Sequence, residues 1–220
     1  MEKKESANKQ VASKLAENAQ KTTNKIVLIL KFILAALAVP LIIGITIAFS
    51  KTLLSLESIL QNYFLAGIIA YLILHLFIYK PVAVYKTGQG ILQFLFIFFA
   101  PLVKIASYLL PIYSILITAI YFILAKLPQY KLETDTFLFF ISFSFILHLV
   151  QTADALRDKQ TGLERANYFF AFAIIYLIDI VLLAGMLQLI FNDFSFLEFL
   201  SQSGQESLNI YQKVFVQLFP

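Results

Sequence analysis

From Ile26 to Phe191 the chain alternates long apolar runs with short polar breaks. A helix needs roughly 20 apolar residues to cross the ~30 Å hydrocarbon core of a bilayer. By that measure the first run, Ile26–Phe49, predicts a span. Lys31 lies close enough to its end to snorkel, and Pro40 and Gly44 mark a kink. A loop over Ser50–Asn62 carries few charges, and a second span covers about Tyr63–Tyr79, with His75 near its end. Pro81 ends that helix or begins the next. Gly88–Ala125 is too long for one span, and Pro101, Lys104 and Pro111 divide it. The division predicts a helix over Thr87–Phe99, a break at Ala100–Lys104 and a second helix to Ala125. The first of these is short enough to be re-entrant. Further spans are expected over Phe137–Gln151, which holds His148, and Tyr168–Phe191, which holds Asp179.

Beyond Phe191 the pattern changes. Phe194–Leu200 reads as an interfacial piece. After the polar stretch Ser201–Ser207, residues Leu208, Tyr211, Phe215 and Leu218 fall on one helical stripe. That spacing predicts an amphipathic helix lying on the membrane surface. The organisation is therefore a tail over residues 1–25, a helix bundle over 26–191 and an interfacial C-terminal segment over 192–220. The expected fold is an all-α polytopic membrane helix bundle with five or six transmembrane segments. No internal repeat is visible, which weighs against the inverted-repeat transporter plans.

Composition agrees. Of the 220 residues, 60% are hydrophobic and 14% charged, against about 45–50% and about 25% in soluble domains. No cysteine is present, so disulfides and thiolate chemistry are excluded. No Trp is present either, which leaves Tyr and Phe to form any aromatic belt. The net charge of +4 owes much to the tail, where six lysines stand against Glu2, Glu5 and Glu17. Those lysines lack arginine or aromatic neighbours, so the tail reads as a topology signal holding the N-terminus in the cytoplasm, not as a nucleic-acid arm. A multi-pass protein of the cell membrane is expected, with the lipid bilayer and possible other membrane proteins as partners and no cofactor.

One polar patch interrupts the apolar sequence, Y-K-T-G-Q-G-I-L-Q at Tyr85–Gln93. On a helix beginning near Thr87, Gln89 and Gln93 project from one face, one turn apart. In that reading Thr87 caps the helix, and Gly88 and Gly90 allow close packing. The spacing is that of a helical His-Glu-x-x-His zinc site, in which the histidines bind metal and the glutamate acts as base.

With its flanks, this patch resembles a divergent branch of the site-2-protease-like membrane zinc metallopeptidases. There an aromatic-basic-Pro turn leads into Gly-His-Glu-Leu-Thr-His, and the stretch here is F-I-Y-K-P-V-A-V-Y-K-T-G-Q-G-I-L-Q. Ser107–Leu116 and Phe145–Leu163 are similar to two later pieces of that family, so the resemblance covers about Phe77–Ile190 in order. The departure is decisive for chemistry. Gln89 and Gln93 stand where the histidines belong, and Gly90 stands where the glutamate belongs. An amide oxygen is a poor zinc ligand beside imidazole, and glycine cannot take a proton from water. The resemblance implies a pseudo-metallopeptidase with no catalytic residues and no metal, binding or scaffolding other membrane proteins.

Three ionisable residues lie within apolar sequence: His148, Asp179 and Lys104. Such groups cost about 2.5–3.5 kcal/mol at mid-span and turn inward to find partners. Asp179 is expected to pair with Lys104, His148 or Tyr176. It can instead form a proton or cation path with His148, which gives the alternative function, a small transporter or channel subunit, or belong to a catalytic or metal-binding group. A structural subunit of a larger complex is a third reading. Ser142 and Ser144 have no evident base beyond His148, and Asn167, Gln151 and Gln188 are candidates for interhelical hydrogen bonds.

Overall fold

The computed structural model describes residues 2–78, 81–95, 106, 108–127, 133–157 and 165–219. Those residues are helical and contain no strand. The order is α1 (Glu2–Leu54), α2 (Ser58–Ile73) running into a π-helical turn (Leu74–Ile78), α3 (Val82–Leu95), α4 (Ile112–Ala125), α5 (Thr134–Arg157), α6 (Arg165–Ile190) and α7 (Phe196–Leu218). Four segments are long and apolar enough to cross a membrane: Thr22–Leu54, Ser58–Phe77, Thr134–Arg157 and Asn167–Ile190. The chain is thus a multi-helix membrane protein. Large apolar side chains such as Ile69, Phe140, Phe169 and Leu189 point outward, while Ser114, Ser142, Thr152 and Asp179 are buried. A water-soluble domain shows the reverse pattern.

Side-chain pairs fix the relative directions. Lys31 donates to Asn167 at 2.8 Å, and Thr46 and Tyr176 share a hydrogen bond of 2.8 Å, so α1 and α6 run parallel. Gly67 of α2 lies against Phe139 and Ser142 of α5, and Gln151 donates to the Tyr71 hydroxyl at 3.1 Å. Those helices are parallel too. Helix α4 is antiparallel to α5, through Ser114–Ser144 at 2.8 Å and the Tyr121–Phe137 rings at 5.2 Å. Phe49 joins the main core, with Phe64, Phe194 and Phe199 at 5.9, 6.2 and 6.2 Å between ring centroids. Edge-to-face and tilted pairs of this kind add to the burial of the rings themselves.

Several boundaries differ from expectation. The polar tail and the first span form one helix, because nothing in residues 2–25 breaks helical geometry. The loop after it is only Ser55–Glu57. Helix α3 begins at Val82, directly after Pro81, so Thr87 is no cap: its hydroxyl donates to the Ala83 carbonyl one turn back. Gly88 is packed, since a Cβ there would lie 2.8 Å from Tyr113 and 2.9 Å from Ile112, whereas Gly90 faces open space. Ile112, the first residue of α4, thus lies beside Gly88 of α3.

The C-terminal segment departs most. It is one helix through Gly204, capped by Ser195, whose hydroxyl accepts from the Glu198 amide at 3.2 Å. It does not lie across the bundle end but runs antiparallel along α1. Phe199 packs on Phe49, Ser207 fits against Gly44, and the Tyr211 hydroxyl donates to the Leu37 carbonyl. Small residues explain the contact. A Cβ on Gly44 would lie 2.6 Å from the Ser207 amide nitrogen, so only glycine admits this approach.

Candidate functional site

Helix α5 buries a stripe at Ile141, Ser144, Phe145, His148, Gln151 and Thr152. Residues three and four apart share a helix face, so His148 is carried inward by its apolar neighbours in register. On α6, Asp179 occupies the same kind of position, one turn from buried Ile175 and Leu183. The two stripes meet, bringing His148 Nε2 to 3.4 Å from Asp179 Oδ2. Asp179 is fully buried and His148 is 5% exposed. The two side chains touch, but their geometry is not that of a hydrogen bond, and His148 Nε2 and both Asp179 oxygens find no hydrogen-bond partner among the described residues. The His148 ring is held from another side by the backbone of Tyr108.

The face of α3 completes the site. Tyr85 packs its ring 6.1 Å from that of His148, and its hydroxyl shares a 2.9 Å hydrogen bond with Thr152. One turn on, Gln89 lies within hydrogen-bonding reach of Tyr85. Tyr85, Gln89, Leu110, Ile112, Tyr113 and His148 are among the residues lining a cavity of about 10 Å³. That is room for about one water molecule.

The sequence-predicted residues therefore separate. Gln89 is half-buried and faces His148 across the cavity, while Gln93 is exposed. The two do not act as one face, because α3 packs on α4 and α5 by a stripe at Tyr85, Gly88 and Leu92 that leaves Gln93 outside it. Gly90 is exposed. Asp179 takes His148 as neighbour, whereas Tyr176 turns to Thr46. Lys104 lies outside the described residues. His75 stacks on Tyr71 at 5.7 Å and approaches Gln151 at 3.5 Å, a packed histidine. Asn167, Gln151 and Gln188 each make a hydrogen bond between elements. Ser142 and Ser144 donate to backbone carbonyls of their own helix. No group of three or more His, Cys, Asp or Glu side chains comes together among the described residues.

Comparison with known proteins gave no match to a family model, a curated protein or a solved structure.

Reading the sequence missed Tyr85 and Thr152. Part of their signal was present, since Tyr85–Gln89 and His148–Thr152 are both i, i+4 pairs, each on one helix face.

Proposed function

We propose that this chain is a non-catalytic membrane protein built on the plan of the membrane zinc metallopeptidases, holding other membrane proteins without cutting them. The observation behind this reading is the position of Gln89, turned inward against His148 across a cavity of about 10 Å³. The resemblance puts a metal-binding histidine at that position. An amide there offers a weak oxygen donor, and Gly90 supplies no base. The cavity has no room for a peptide segment. What remains is a set of helix surfaces that can recognise other helices in the bilayer, with the basic tail in the cytoplasm.

The test is metal content of the detergent-purified protein beside a triple variant, Gln89→His, Gly90→Glu and Gln93→His. The expected result is no metal in the native chain and stoichiometric zinc in the variant. Zinc in the native chain overturns the reading. Metal in neither removes the metallopeptidase resemblance as support.

A second reading has its own observation: His148 Nε2 and both Asp179 oxygens are buried together with no hydrogen-bond partner among the described residues. A proton or small cation relayed there makes the protein a transporter or channel subunit. Asp179→Asn then abolishes flux into proteoliposomes while the protein still folds. Flux that survives Asp179→Asn rules this reading out.

A further inference from the structure

Helices α1 and α6 are bridged at two levels, by Lys31–Asn167 and by Thr46–Tyr176. Between the bridges they leave a furrow of about 330 Å³. Phe32, Ala35, Val39 and Ile42 of α1 and Phe172 and Ala173 of α6 are among its lining residues, all of them apolar. The volume falls within the ~300–1,000 Å³ of small-molecule sites. Phe32 to Ile42 is ten helical steps, about 15 Å. A helix about 10 Å across fills roughly 1,200 Å³ over that length, so the furrow seats an extended chain and not a helix.

Depth and charge identify the occupant. Lys31 and Lys51 bracket a charge-free stretch of α1, 20 helical steps or about 30 Å long, the thickness of a hydrocarbon core. The furrow begins one residue inside Lys31 and ends at Ile42, near the midpoint of that stretch, so it occupies a single leaflet. At its outer end the Lys31 side chain is half-buried, and Asn167 accepts one N–H of its ammonium group. An ammonium carries three such donors. Lys25 lies two turns before Phe32 on the same face of α1 and is exposed. Neither lysine forms an ion pair among the described residues. Two uncompensated cations thus stand over an apolar furrow one leaflet deep, and cations at that level attract anionic headgroups.

We propose that the α1–α6 furrow binds one acidic phospholipid of the leaflet that holds Lys31. One acyl chain lies along Phe32–Ile42, and the phosphate sits between the Lys25 and Lys31 ammonium groups. Charge selects an acidic lipid over a zwitterionic one, whose own ammonium would stand beside the two lysines. Asn167 fixes Lys31 without neutralising it, because a carboxamide carries no charge. Depth selects a lipid over a partner helix. A partner helix crosses both leaflets, whereas this furrow stops at Ile42, one turn before the Thr46–Tyr176 hydrogen bond joins the two helices.

Native mass spectrometry of the detergent-purified chain tests the site. The probes are dioleoyl phosphatidylglycerol and dioleoyl phosphatidylcholine, which share their acyl chains. The expected result is one phosphatidylglycerol per chain, bound at least tenfold more tightly than phosphatidylcholine. The double variant Lys25→Gln, Lys31→Gln lowers that preference at least fivefold, while glutamine at position 31 keeps a donor for Asn167. Ala36 lines the furrow from an exposed position, and Ala36→Phe fills it, weakening phosphatidylglycerol at least fivefold at an unchanged unfolding temperature. Lys86→Gln, at an exposed lysine of α3, leaves binding as it is. Equal affinity for the two lipids overturns the proposal, as does a preference that survives the double lysine variant. Binding untouched by Ala36→Phe makes the lipid part of the general annulus and overturns it too. So does a two-chain species that disappears in Ala36→Phe and ignores added lipid, which places a second copy in the furrow.

Discussion

Asp179 Oδ2 lies 3.4 Å from His148 Nε2, and the pair ties α6 to α5 in the bundle interior. Removing one polar member of a buried contact costs about 1–3 kcal/mol, while replacing both by apolar residues of similar shape is nearly neutral. His148→Leu is therefore expected to lower stability by about 1–3 kcal/mol. The double variant His148→Leu, Asp179→Leu is expected to recover at least half of that, with a residual loss because the Tyr108 backbone contact goes with His148. Thermal unfolding in detergent reads the cycle. A double variant as unstable as the sum of the singles shows that the two residues are not coupled.

Close helix approach is the second source of stability, and it is concentrated at two glycines. A Cβ on Gly67 collides with the Phe139 carbonyl and the Ser142 hydroxyl, and one on Gly44 collides with the Ser207 backbone. Overpacking of this kind costs about 1–3 kcal/mol. Gly44→Ala and Gly67→Ala are each expected to lower the unfolding temperature. Gly185→Ala, where a Cβ meets nothing within 4 Å, is expected to leave it unchanged or raise it. If all three variants unfold alike, the packing of α1 on α7 and α2 on α5 is not as close as the structure places it.

These two relationships also show how far sequence reasoning reaches here. The apolar runs made the long helices legible, because length and hydropathy alone determine them. Asp179 and His148 stood out because ionisable groups in apolar runs turn inward. The start of α3 was misplaced because Thr87 reads as a cap in one dimension, whereas Pro81 initiates the helix one and a half turns earlier. Gln93 was misplaced for a tertiary reason, since its exposure depends on the Tyr85–Leu92 stripe docking on α4 and α5. The packing of the C-terminal helix along α1 was not legible, because an amphipathic pattern is the same whether the apolar face meets a membrane surface or another helix. Its polar residues argued for the surface, and the Gly44–Ser207 fit, invisible to periodicity, decided for α1.

The ion pair at the bundle end contributes little. Lys51 Nζ is 2.5 Å from Glu206 Oε1, but the lysine side chain is 57% exposed. Exposed pairs of this type contribute about 0–1 kcal/mol. Lys51→Ala is expected to shift the unfolding temperature by less than Gly44→Ala does, although both residues hold α7 to α1. A larger loss from Lys51→Ala assigns the docking of α7 to charge and not to packing.

Placing α7 along α1 makes a prediction about depth that a surface helix does not share. On a helix lying in the interface, residues of one face sit at one depth and react alike with aqueous reagents. On a helix running beside α1, reactivity changes with position along the helix. Leu197, Leu208 and Phe219 are all strongly exposed from the protein, so any difference among them reports the surroundings and not burial in the chain. Single cysteines at these positions, treated with a membrane-impermeant maleimide in opened vesicles, are expected to label fast at Leu197→Cys and Phe219→Cys. Leu208→Cys is expected to label at least tenfold more slowly. Uniform labelling at the three positions places α7 on the membrane surface.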